Sequence, residues 1–146
     1  MRGPTAIAAA ALVAALLVAG APAPATALAA PGPCAIERQD GQSMAAWVKS
    51  EIRCAALKWS VPGGAAKAIC IGKAESGLDP KSRSAPGRYL GVFQHERDAW
   101  PDRYATWARK AWGLDSSALN GRTNTIVTIR MVHSDGWGPW RNVDGC

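Results

Sequence analysis

The chain has 146 residues, with 17 Lys and Arg against 11 Asp and Glu for a formal charge of +6, four cysteines, and seven tryptophans beside one phenylalanine. Such a length supports one domain with a modest core and is too short for two. The basic residues are scattered and no run of them adjoins aromatic residues, which argues against nucleic acid as partner. That leaves an anionic cell-wall matrix, or a charge kept for solubility alone.

Arg2 is the only charged residue before Glu37, and an Ala/Leu/Val run from Ala6 to Gly20 gives way to a Pro/Ala stretch closing on Ala27-Leu28-Ala29. This is the layout of a secretory leader with a small-x-small cleavage site. The expectation is a signal peptide over 1–29 and a single domain over 30–146, secreted and extracellular or wall-associated. The alternative is an uncleaved N-terminal anchor, which the shortness of the apolar run disfavours. No other segment predicts membrane insertion. With Arg2 set aside, the balance is 16 basic to 11 acidic residues, a net of +5.

Cys34, Cys54, Cys70 and Cys146 predict a pair of disulfides in an exported domain of this size; three pairings are possible and the sequence selects none. His95 and His133 match no ligand spacing with each other or with the cysteines, so neither a metal nor another cofactor is expected.

Helices dominate the prediction and no strand is expected. Ser43 caps a first helix with Met44, Trp47, Val48, Ile52 and Ala55 on one buried face, ending near Lys58. After the break at Val61-Pro62-Gly63-Gly64, the positions Ala65, Ala68, Ile69 and Gly72 carry a second helix to Ser76, where Gly77 suits a left-handed cap. Asp79 to Leu90 is a loop by composition. Pro101 opens a third helix with Tyr104, Trp107, Ala108 and Ala111 inward, closed by Gly113. A fourth runs from Thr123 to His133 on Ile126, Ile129 and Val132, followed by an irregular tail, Gly136-Trp137-Gly138-Pro139-Trp140.

Glu75 stands out on this layout. At about 100° per residue it falls within about 60° of Ala68, Ile71 and Gly72, on the border of the inward face. Desolvation and the negative end of the helix dipole both disfavour its charged form there. A neutral carboxyl near physiological pH is what protonates a glycosidic oxygen as the bond breaks. The bland alternative is a carboxylate that reaches water or pairs with Lys73 or Arg83.

In order, Ala74-Glu75-Ser76-Gly77-Leu78-Asp79-Pro80, then Ser84 and Gly87, then Gly91-Val92-Phe93-Gln94, resembles the catalytic core of the lysozyme-like superfamily. The likeness is to the soluble lytic transglycosylase domain and goose-type lysozyme, in a short actinobacterial secreted form. It continues through Asn124 to Gly136-Trp137-Gly138-Pro139-Trp140. The resemblance implies a mainly α fold: a small lysozyme-like helical domain with disulfides and a cleft lined by loops, acting as a monomer on peptidoglycan glycan strands. It implies that Glu75 is the catalytic acid and base for the β-1,4 bond between N-acetylmuramic acid and N-acetylglucosamine. A lytic transglycosylase leaves a 1,6-anhydro end. Ser76 and Ser84 match serines beside the acid and near the muramic substituents, and Gln94 matches a glutamine that lines the cleft.

The sequence departs from that pattern in having Val92 for Leu, one extra residue between Gly87 and Gly91, and His133-Ser134-Asp135-Gly136-Trp137 where transglycosylases carry an Ala-Tyr-Asn segment. This leaves open a hydrolytic lysozyme, which requires a second carboxylate about 6.5–9.5 Å from the acid if it inverts. Asp98 and Asp102 are the candidates, with Asp79 and Asp135 behind them; Asp102 reads more readily as a first-turn helix acid. A non-catalytic wall-glycan binding module is the third alternative. Among the tryptophans, Trp47 and Trp107 lie on apolar helix faces, whereas Trp100, Trp137 and Trp140 suit either sugar contact or core filling.

Overall fold

The computed structural model describes residues 32–146; the leader expected over 1–29 lies outside them. Four helices carry the fold: α1 (Met44–Lys58), α2 (Gly64–Ser76), α3 (Trp100–Trp107) and α4 (Gly121–Asp135), with 3-10 turns at Lys110–Trp112 and Gly138–Trp140. The domain is mainly helical, as expected. No helix among the described residues is long and apolar enough to cross a membrane.

The helix ends follow from capping chemistry. Ser43 accepts from the Ala46 amide at 3.2 Å, and Asn120 accepts from the Thr123 amide at 3.0 Å, each satisfying a donor that the first helical turn leaves free. Gly77 closes α2 in the left-handed region at φ 67°, and its N–H donates to Lys73 O at 2.8 Å.

Packing differs from a simple amphipathic pattern at α4. Ile126, Ile129 and Val132 are buried as predicted, but so are Thr123, Asn124, Thr125, Val127 and Thr128, because α4 lies centrally with α1 and α3 packed against it. α2 packs against α1. Val48, Ile52, Ala55, Ala68, Ile71, Val92 and Phe93 complete the main core. Met44, expected on the buried face of α1, is exposed at its first position.

Three further expectations are corrected. A short antiparallel hairpin is present, β1 (Tyr89–Leu90) with β2 (His95–Glu96), pairing Tyr89 with Glu96 and Leu90 with His95. Two residues per strand leave no alternation to detect. The third helix ends at Trp107 rather than near Gly113, and Ala111 is exposed. The Trp107 carbonyl accepts instead from the Arg130 guanidinium, which lies over Trp59, Trp107 and Trp112. A continuing helix would need that carbonyl for its own ladder.

The disulfides are Cys34–Cys54, joining the N-terminal segment to α1, and Cys70–Cys146, joining the C-terminus to α2. Beside the first lies an unexpected group. Glu51 on α1 is fully buried and neither carboxyl oxygen has a hydrogen-bond partner. Arg122, whose guanidinium donates twice to Pro33 O at 3.1 and 2.9 Å, is its nearest positive influence. Burial pushes the Glu51 pKa up to about 7, opposed by the Arg122 charge and by the Ile36 backbone amide, which approaches the carboxyl without a well-formed hydrogen bond.

Candidate active site

A cleft of about 540 Å³ opens at the C-terminal end of α2, where Glu75 occupies the last turn. Glu75 is half-buried and pairs with no cation among the described residues, so neither Lys73 nor Arg83 neutralises it. Burial raises its pKa above the usual glutamate value. The carboxyl is thereby biased toward its protonated form while still facing the cleft.

Opposite α2 the wall is built by the hairpin. Its connection, Gly91-Val92-Phe93-Gln94, is held by Asn124 from the first turn of α4. Asn124 Oδ1 accepts from Phe93 N at 3.0 Å, and Nδ2 donates to Ala118 O at 2.8 Å and Leu90 O at 3.4 Å. A Cβ at Gly91 would collide with Ala118 O and the Asn124 amide, and φ there is 78°, so only glycine fits. Gln94 also has positive φ, 46°, and its Nε2 donates to Gly91 O at 2.8 Å, which fixes the side chain at the cleft edge. Ser84 lines the cleft as predicted, its Oγ accepting from Tyr89 N at 2.9 Å.

Trp140 lines the cleft too, with its indole N–H donating to Phe93 O at 2.9 Å and its ring edge-to-face with Phe93 and His95. The other predicted contacts lie elsewhere. Trp137 is core: it is 9% exposed and its Nε1 donates to Pro62 O at 2.7 Å. Trp100 is likewise buried, donating to Ser116 O. Ser76 does not line the cleft; its hydroxyl is 2.8 Å from Val92 O and 3.1 Å from Gly72 O, fastening the end of α2 to the hairpin connection.

Neither aspartate proposed as second carboxylate lines the cleft. The Asp98 side chain is 89% exposed beside Arg97, and Asp102 is exposed in the first turn of α3, where it complements the helix N-terminus. Asp79 instead accepts from the Lys81 amide in a turn, and Asp135 is exposed at the end of α4. The second carboxylate in the cleft is Glu96, on β2 directly across from Tyr89, which also lines it. Arg88 holds Glu96 Oε1 through Nε at 3.1 Å and Nη2 at 2.8 Å.

Arg103 and Pro139 complete the lining. Behind Arg103 lies His95, fully buried between Trp100 and Trp140. Thr128 Oγ1 donates to Asn124 O at 2.7 Å, so the 2.7 Å contact between Thr128 Oγ1 and His95 Nε2 requires the imidazole to donate. His95 Nδ1 then accepts from Arg103 Nη1 at 2.9 Å. The imidazole is neutral: burial, aided by the Arg103 charge, pushes its pKa down to about 3.

Glu96, Tyr89 and Arg103 were not legible as site residues. Had the hairpin been detectable, the alternation of side chains would have put Tyr89 and Glu96 on one face with Leu90 and His95 on the other. Among the described residues no group of three or more His, Cys, Asp and Glu could hold a metal ion. Comparison with protein-family models, with curated proteins and with solved structures finds no match in any of the three.

Proposed function

We propose that this protein cleaves the glycan strand of peptidoglycan at the N-acetylmuramic acid to N-acetylglucosamine bond, with Glu75 as general acid. The reading rests on one observation above all: a half-buried, unpaired carboxyl with a raised pKa, at a helix end inside a cleft. The lysozyme-like motif order supports the same role and names the substrate. Glu75 protonates the bridging oxygen as the glycosidic bond breaks. In the transglycosylase form its carboxylate then takes the proton of the muramic 6-hydroxyl as that oxygen attacks the anomeric carbon, and a 1,6-anhydro end is released without water. A substrate outside the cell accords with the two disulfides.

Glu96 favours a second reading, hydrolysis. Its Oε2 makes no hydrogen bond among the described residues, so a water held there has an acceptor. Digestion of purified peptidoglycan by the protein and by Glu75→Gln, with products resolved by mass spectrometry, separates the two. Anhydro ends from the unmodified protein alone are the expected result. Reducing muramic ends would establish the hydrolase, and no products on several wall types would overturn the enzymatic reading in favour of a binding module.

A further inference from the structure

Arg103 is the one charged group of the cleft that the chemistry above leaves without a task. It is half-buried on α3, and no carboxylate lies within ion-pair distance of it among the described residues. Glu96, the nearest source of compensation, is already held by Arg88. Burial lowers the Arg103 pKa, the mark of a cation drawn partly out of water. Keeping such a charge uncompensated opposes folding unless a ligand supplies the counter-charge.

The guanidinium is also oriented. Its Nη1 is committed to His95 Nδ1, and the imidazole is fixed in turn by Thr128 and by the flanking Trp100 and Trp140 rings. A neutral His95 can only accept at Nδ1, so it holds the guanidinium without cancelling its charge. The remaining N–H groups are available to the cleft in the rigid fork geometry that matches a carboxylate.

We propose that Arg103 is a carboxylate-binding residue of the cleft, selecting glycan strands that carry a carboxylate beside the sugar over neutral strands of the same length. The inference rests on the glycan-cleaving reading and adds what the cleft discriminates. The carboxylate belongs either to the lactyl group of N-acetylmuramic acid itself or to a peptide amide-linked to it.

Binding is measured by calorimetry on Glu75→Gln protein, so that no ligand is consumed. The ligands are alternating N-acetylglucosamine and N-acetylmuramic acid hexasaccharides with free lactyl carboxylates, with those carboxylates as methylamides, and with an Ala-Glu dipeptide attached. The expected result is binding of a carboxylated strand about tenfold tighter than the methylamide. Adding Arg103→Gln, which keeps an N–H for His95, should bring that ratio to about one by weakening the charged ligand alone. Arg103→Lys serves as a second variant that keeps the charge and restores part of the preference. Thermal melts establish that each variant is folded.

Preference for the free lactyl strand or for the dipeptide strand identifies the source of the carboxylate. Equal affinity for charged and neutral strands in the parent, or equal weakening of both by Arg103→Gln, overturns the proposal while leaving glycan cleavage standing. Failure of the parent to bind any of the strands overturns both.

Discussion

Replacing Glu51 by Gln tests whether an orphaned carboxyl in the core makes the stability of this domain fall as pH rises. Glu51 is fully buried, both oxygens lack partners, and its pKa is pushed from 4.5 to about 7. Between those values the folded chain holds a proton that the unfolded chain has lost. The slope of unfolding free energy against pH is therefore negative there. The protonated carboxyl contributes in full below the unfolded value and its contribution fades as pH passes through the folded value. At 1.36 kcal/mol per unit, about 3 kcal/mol of stability is withdrawn between pH 4 and pH 8. Gln has nearly the same shape and does not titrate. Urea unfolding of both proteins with disulfides intact should thus give curves that nearly coincide at pH 4 and diverge toward pH 8, with Glu51→Gln the more stable by about 3 kcal/mol. Titrations shared by the two proteins cancel in the difference. A difference that stays constant across the range would refute the reasoning, since it would mean that Glu51 ionises in the fold as freely as in water.

The candidate second carboxylates should differ in effect: Asp98→Asn and Asp102→Asn, outside the cleft, should leave peptidoglycan turnover unchanged, while Glu96→Gln, within it, should lower turnover about tenfold or more if water is the acceptor. Turnover assays on the three variants decide between them, and a strong loss at Asp98 or Asp102 would contradict the geometry. His95 should stay neutral and protonated at Nε2 down to about pH 4, visible in the nitrogen shifts of the imidazole by NMR, whereas titration near pH 6 would show that the Thr128 and Arg103 contacts do not hold it. The bridges should differ in weight. Loop entropy assigns about 4.5 kcal/mol to Cys70–Cys146, with its separation of 76, and about 3 kcal/mol to Cys34–Cys54, with its separation of 20. Paired Cys→Ser variants compared by urea unfolding check the order, and its reversal would count against the loop-length argument.

What the sequence made legible was local. Ser43 and Gly77 announce helix ends because capping depends on a few adjacent residues, and the place of Glu75 follows from the helical period that also puts Ala68, Ile71 and Gly72 inside. What escaped was set at a distance. Thr125 and Thr128 are not among the apolar positions Ile126, Ile129 and Val132 that mark α4, yet both are buried because other helices pack against it. Trp137 and Trp140 belong to one short tail, and only the packing of that tail buries both in the core while leaving Trp140 also against the cleft. Glu96 was overlooked for Asp98, two residues on, because the faces of a two-residue strand are fixed by its partner. The end of α3 was likewise misplaced by a side chain from α4, Arg130, which takes a carbonyl that local propensity assigns to the helix.

The route of the chain around the cleft bears on when the cleft is complete. Synthesis delivers α2 and Glu75 early, the hairpin next, and Pro139, Trp140 and Cys146 last. Until that tail docks, Phe93 O and His95 lack the Trp140 indole that covers them, and one wall of the cleft is missing. The cleft is therefore complete only once the tail has docked on a segment 47 residues upstream, so its closure waits on a long-range step of folding.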